Sequence, residues 1–468
     1  VFEPPDVSRK RPGRDKREMP GVLRANGREE IVVIGGGICG LQIAALLAHD
    51  RRKVTVFEAH REVGGRARVT ERDGFSLDFG IHLVRSGQRG PLAKTFRSIG
   101  RPVRFEYIRT SYLVDEDGKA KRFPTHPLDL SRPPRLLGGR DAIEALLLLP
   151  RIRSLVRSRL EERTSLMDWC IRQNIPGSLF RYLAVLASAT LVNADMATVP
   201  AAFMFDTLRR LLRAGLPPAY PAGGWKRLFE ELLGAIEKGG RVQTSARVQR
   251  LLVRGGRAHG VVVNNKIVPA DVVVCALPVQ NLFSVLSPDD VPEPFYALCT
   301  NLRPTAGISI DYCLDRPIHK ERALWFFWEP RMLTLFTSNL EPSLAPHGRQ
   351  IYTAFSPLKP EEISDRKRCK IHQARMEQAL SLQWPALERA ALHKRVLILP
   401  MVDGAEVSVQ QLPRERPGPT VPGIENLFLV GDSLKAPGGG GDIGHESVHI
   451  TYQAVTDYLA SRSPAERA

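Results

Sequence analysis

The sequence predicts an α/β fold, on three observations. Residues 31–40, IVVIGGGICG, join a run of β-branched residues to a glycine turn and the start of a helix. Residues 53–58, KVTVFE, follow as a second strand that ends in an acid. Far down the chain, residues 426–430, NLFLV, form another strand and lead through Gly431, Asp432 and the glycines 438–441 into a last helix. Strand, glycine turn and helix, then strand, is the βαβ unit of a parallel sheet covered by helices.

Gly35, Gly37 and Gly40 stand in G-x-G-x-x-G spacing. The first permits a tight turn and the second lets backbone approach a pyrophosphate. The third lets the helix expected over 41–48 pack closely on the strand. The N–H groups that open this helix, with Ile38 and Cys39 among them, then face the phosphates. Glu58 at the end of the second strand is placed to accept from a ribose hydroxyl. A glycine turn alone marks an ordinary βαβ unit. Glu58, and Gly64-Gly65-Arg66 shortly after it, narrow the reading to a dinucleotide.

The chain of 468 residues allows two or three domains, and 43% hydrophobic with 25% charged residues is a globular balance. The net charge of +17 is unusual. It suits an anionic membrane surface, or it is a basic surface with no specific partner. No zinc spacing, RNA-binding signature or aromatic-basic interleaving points to nucleic acid. The six cysteines are scattered without a C-x-x-C pair and read as free thiols of a reducing compartment. No secretory signal and no apolar run long enough to span a bilayer is visible. The expected location is cytoplasmic, either free or against a membrane. Glu446 and His449 share a helix face, but two residues make no metal site, and none is expected.

In order, residues 1–29 are rich in Arg, Lys, Pro and Gly and read as a disordered basic tail. After the nucleotide unit, alternation at Phe75, Leu77 and Phe79 predicts a short strand ending at Gly80. A hairpin is expected over 112–122, turning at Asp117-Gly118. Proline-rich residues 124–134 lead to helices over 143–160 and 203–216, both apolar with interleaved arginines. They either lie on a membrane or pack on a core with solvated arginines. Residues 220–240 read as a turn and an amphipathic helix, 242–253 and 259–263 as strands, and 270–278 as a buried strand. Strands at 306–314 and 324–327 and a helix over 361–382 follow.

Strand, G-x-G-x-x-G, Glu and then G-G-R-x-x-[ST], here GGRARVT, resembles the FAD-binding start of the amine oxidase, protoporphyrinogen oxidase and phytoene desaturase group. The resemblance implies a Rossmann-like FAD-binding domain built from residues 30–89, 219–285 and 395–468. An inserted substrate domain of mixed sheet and helix would occupy 90–218 and 286–394. It also implies roles. Gly65 and Arg66 would meet the pyrophosphate. Asp78, Gly80 and His82 match a segment that runs close to the flavin, and His82 either touches the isoalloxazine or is a packed histidine. Val248 is the candidate for backbone contact with adenine. Gly431 and Asp432 would meet the FAD chain, and Asp442 and Ile443 open the helix that faces the flavin N1–C2=O edge. A second dinucleotide fingerprint is absent, so the substrate would reduce the flavin, and oxygen, a quinone or another carrier would reoxidise it.

Within this group YPAGGWKRL, ISIDYCLDRPI and VGDSLKAPGGGG are most similar to the phytoene desaturase-like enzymes. That implies an apolar, isoprenoid- or carotenoid-like substrate. A flavin amine oxidase is the alternative, and a redox-inactive relative like the GDP-dissociation inhibitors is a third reading. Amine oxidases usually carry a lysine where Ser309 stands and an aromatic residue where Asp442 stands. No cysteine lies between Leu434 and Ser447, where some of them attach the flavin, so noncovalent FAD is expected.

Overall fold

The computed structural model describes residues 29–122 and 162–462, apart from 194. The expected tail up to 28, the proline-rich stretch 124–134 and the helix expected over 143–160 lie outside these residues. A six-stranded sheet holds the nucleotide motif. Its strands run in the order Thr420–Val421, Ile424–Leu429, Val272–Cys275, Glu30–Ile34, Lys53–Phe57, Gly240–Gln243. All neighbours are parallel except the first pair, which is a hairpin. Parallel strands covered on both faces must be apolar throughout, and residues 31–34 and 272–275 are all buried.

The first helix, Ile38–His49, is buried without a break from Gly40 to Ala48. It therefore has no water-facing stripe. The helices Gly224–Ile236 and Gly441–Ser461 pack against it. On the far side of the sheet a three-stranded antiparallel sheet, Val248–Arg254, Arg257–Val263 and Lys266–Pro269, closes a second core.

A seven-stranded sheet runs in the order Ala391–Leu399, Ala306–Leu314, Gln350–Leu358, Met332–Leu335, Ala323–Phe327, Thr110–Val114, Ala120–Arg122. Its pairings are antiparallel except that of Ala323–Phe327 with Thr110–Val114. Ile308, Ile310, Tyr312 and Leu314 point to one face, where Met376 and Leu380 of helix Arg366–Gln383 cover them. Strand alternation sends Gly307, Ser309, Asp311 and Cys313 to the other face.

Three expectations change. Residues 242–253 are not one strand: Gly240–Gln243 joins the parallel sheet and Val248–Arg254 the antiparallel one. Ser245 turns the chain between them at φ 52°. The helix expected over 361–382 breaks at Ser364, and Asp365 caps the second piece by accepting from the N–H groups of Lys367 and Arg368. A division between residues 394 and 395 would cut strand Ala391–Leu399, which pairs along its length with Ala306–Leu314. That strand is continuous to Leu399.

Candidate functional site

The site is built at the C-terminal ends of the parallel strands. Gly35 takes φ +103°, and its N–H donates to Phe57 O at 2.8 Å. A Cβ on Gly40 would lie 2.1 Å from Gly35 O, so only glycine fits there. Gly37 caps the first helix without a side chain. Leu41 is the first residue whose N–H closes a helical bond, to Gly37 O at 2.9 Å. The N–H groups of Ile38, Cys39 and Gly40 thus have no acceptor within the helix. The next glycine pair lies against this turn: Gly64 N–H donates to Gly36 O at 2.8 Å, and a Cβ on Gly65 would come within 3.1 Å of Gly37 Cα. Glu58 accepts from Gly36 N–H and His60 N–H, each at 2.7 Å. Those bonds fix its carboxylate beside the turn.

Arg66 and Asp432, 366 residues apart, meet in a two-pronged pair of 2.6 and 2.8 Å. Arg66 also donates to Val402 O at 2.7 Å, and Gly404 N–H donates to Asp432 at 2.8 Å. A Cβ on Gly404 would stand 2.4 Å from the Asp432 carboxylate. Burial alone would push the Asp432 carboxyl up, but Arg66 and Gly404 outweigh it and hold the group ionised below its usual range. Burial likewise pulls the Arg66 guanidinium down, and Asp432 more than reverses this. Arg66 nevertheless keeps 38% of its side-chain surface open. Arg66 is thus a paired cation that stays accessible.

The closing helix Gly441–Ser461 is capped by Gly440, again without a side chain. A Cβ on Gly444 would lie 3.0 Å from Cys39 Sγ and 3.4 Å from Asp432 Cβ, so the two uncapped helix ends and the ion pair converge. Burial, and then Asp432, push the Cys39 thiol up to about 12. Gly431 N–H donates to Ser447 Oγ at 2.9 Å, tying strand to helix. Asp442 and Ile443 fall in the first turn, and burial raises the Asp442 carboxyl while Arg85 opposes the shift. Arg85 bonds Gly439 O, and donates to Thr190 O at 2.5 Å.

His82 sits edge-on to Trp225, with ring centroids 5.4 Å apart, and one ring nitrogen lies 3.1 Å from Phe79 O. Burial lowers it to about 4, so it is neutral at pH 7. It is half-buried against Trp225. Gly80 takes φ +99° beside Leu399. Asp78 accepts from Tyr220 OH at 2.5 Å, and burial pushes it up to about 7. Val248 opens its strand, buried, two residues after Ala246, whose N–H donates to Glu58 O at 2.8 Å. It therefore stands at the Glu58 end of the site.

The seven-stranded sheet meets this region where Leu399 lies beside Gly80. Ser309 is fully buried and donates to Ala354 O at 3.1 Å. Its neighbours in register are Leu397 on one side and Phe355 on the other. A Cβ on Gly307 would strike the Phe355 ring at 2.5 Å. Farther along the same face Asp311 pairs with Arg395 at 2.7 and 2.9 Å.

Sequence reasoning missed Arg85, Asp403 and Arg416. Arg416 is buried and donates to the carbonyls of Ala405, Glu406 and Asp432, at 3.1, 3.1 and 3.2 Å. None of the three lies in a recognisable local motif. Gly404, whose N–H donates to Asp432, is the nearest sequence signal.

These residues fit FAD. Two uncapped helix ends, a glycine cradle without Cβ atoms and an accessible arginine form a donor set for a pyrophosphate, with Glu58 at one end. Among the described residues no group of three potential metal ligands occurs. The profile of the flavin containing amine oxidoreductases matches residues 38–440. A zeta-carotene-forming phytoene desaturase of Myxococcus xanthus is 30% identical over 277 residues, 52% of each chain, so the match spans about half of that relative. The 15-cis-phytoene desaturase of Solanum lycopersicum is 23% identical over 438 residues, 87% of this chain and 74% of that one. An oxidoreductase from Methanosarcina mazei superposes with a TM-score of 0.77 at 24% identity, covering 92% of this chain and 100% of its own. That likeness carries the fold. With the profile spanning most of the sequence, the chain belongs to the flavin containing amine oxidoreductase family.

Proposed function

We propose that the chain binds FAD noncovalently and dehydrogenates an apolar, isoprenoid-like substrate. Bound there, the flavin supplies a hydride acceptor. The protein binds, orients and keeps water out. Ile38, Cys39, Gly65 and Arg66 hold the pyrophosphate, Glu58 the ribose, Val248 the adenine, and Gly431 and Asp432 the chain toward the flavin. Asp442 and Ile443 present the positive end of the closing helix, which favours an anionic reduced ring. Gly80 and His82 would flank the ring, with His82 as a neutral imidazole that keeps its single N–H at pH 7. Residues 90–218 and 286–399 then form the substrate domain. Oxygen or a quinone is the proposed final acceptor.

One observation carries the choice of substrate. Where amine oxidases usually place a lysine, Ser309 stands with its hydroxyl spent on Ala354 O, between Leu397 and Phe355. Ser309 is fully buried and uncharged, and its neighbours Leu397 and Phe355 offer dispersion contacts. The phytoene desaturases among the relatives act in the same direction. The test is anaerobic bleaching of the flavin by a panel of polyenes and isoprenoids against a panel of primary amines and polyamines. Bleaching by polyenes is expected. Bleaching by amines alone would establish the amine oxidase reading instead.

A further inference from the structure

Beside the Arg66–Asp432 pair is a carboxylate that the cofactor reading leaves unused. Asp403 lies between Val402, whose carbonyl accepts from Arg66, and Gly404, whose N–H donates to Asp432. Its own backbone is fixed on both sides. Asp403 N–H donates to Thr305 Oγ1 at 2.8 Å, and Thr305 N–H donates to Asp403 O at 3.1 Å. Among the described residues no hydrogen bond or ion pair reaches the carboxylate. The main chain cannot swing away, and the side chain has nothing to hold it elsewhere.

The charged groups facing Asp403 come from four segments: Asp432 after strand Ile424–Leu429, Arg85 before helix Pro91–Ser98, Arg66 after Gly65, and buried Arg416. Burial and Asp432 raise the Asp403 carboxyl to about 6, against the pull of the three arginines. Nearby titratable groups behave differently. Asp432 is held ionised, while His82 and His445 are held neutral by burial. Asp78 is bonded to Tyr220, and raised Asp442 sits beside Arg85.

Resting on the FAD reading, we propose that Asp403 limits how tightly the site takes the FAD pyrophosphate, and that protonating it tightens binding. The phosphates bring negative charge to Arg66, near a carboxylate to which no described residue donates a hydrogen bond. Asp432 cannot take a proton without losing Arg66 and Gly404, whereas Asp403 loses no bond. Binding therefore raises the proton affinity of Asp403, and FAD uptake is coupled to proton uptake. By linkage, affinity rises as pH falls through the range where Asp403 protonates.

Apoprotein of the full chain is titrated with FAD by flavin fluorescence between about pH 5 and pH 8 at fixed ionic strength. The dissociation constant should fall roughly tenfold from pH 8 to pH 5, the scale of one screened charge interaction. D403N should bind roughly tenfold more tightly than the parent at pH 8 and lose the slope, whereas D403E should keep it. A flat parent profile, or weaker binding by D403N at pH 8, overturns the proposal while leaving FAD binding intact. If D403N does not fold, the parent and D403E profiles still decide. No FAD uptake at any pH overturns the cofactor reading, and this inference with it.

Discussion

Arg66 shows how one residue is given its work by partners far away in sequence. Its guanidinium is planar, so it can grip Asp432 with two parallel bonds and still reach Val402 O. Nothing in GGRARVT reveals that partner. The motif marks the arginine, while the fold decides what orients it. Arg66→Ala should weaken FAD binding by about 1.5–3 kcal/mol, the worth of a charge-assisted phosphate contact. Lysine at this position keeps the charge but not the fork, so Arg66→Lys should recover part of that loss. Titration of each apoprotein with FAD measures both. Equal affinity for parent and alanine variant would remove Arg66 from the phosphate site. Asp403 and Arg416 were illegible for the opposite reason. Each is an ordinary charged residue in a loop, and only tertiary contact places it beside Asp432.

Among the elements, the hairpin Val69–Arg72 and Phe75–Asp78 is joined to the seven-stranded sheet by Arg395. Arg395 donates to Thr70 Oγ1 at 2.5 Å and to Asp78 O from the hairpin side, and grips Asp311, which also accepts from Thr353 at 3.0 Å. Asp311 is 2% exposed. Removing one partner of such a pair strands a charge in low dielectric. Arg395→Ala should therefore destabilise the protein by about 3–5 kcal/mol, whereas replacing Asp311 and Arg395 together by apolar residues should cost less. Thermal unfolding of the three variants tests this, and equal losses for single and double replacement would refute the stranded charge. Elements themselves were legible where their pattern was strong. The strand at 306–314 was foreseen at its full length, and the hairpin turn at Gly118 takes φ +74° as a glycine can. Residues 242–253 were misread because both pieces are β-prone and the turn at Ser245 carries neither glycine nor proline. The helix expected over 203–216 runs Ala201–Ala214, and its chemistry was open. Met204 and Phe205 are buried in the core, and Asp206 pairs with Arg209 and Arg210. Phe203 and Leu208 pack against the same core, which favours the core reading of that helix. No helix among the described residues is long and apolar enough to cross a membrane.

For the whole molecule, two sheets of different kind divide the labour. The six-stranded sheet is parallel in all but its first pair, and parallel strands with crossover helices leave a crevice at their C-terminal ends where a dinucleotide can bind. That crevice is already committed to the glycine turn, Arg66 and Asp432. The larger sheet is antiparallel across most of its width, and its inner face presents Leu397, Phe355 and Gly307 where a nicotinamide site would need a glycine turn and a helix end. The sequence carries no second G-x-G-x-x-G behind a strand. Reducing equivalents should therefore enter from the substrate across the apolar face and not from a bound nicotinamide. Mixed anaerobically with NADH or NADPH, the flavoprotein should keep its oxidised visible spectrum over minutes, while a productive polyene bleaches it. Rapid bleaching by either nucleotide would mean that the site admits a polar dinucleotide, and the apolar-substrate assignment would fall with it.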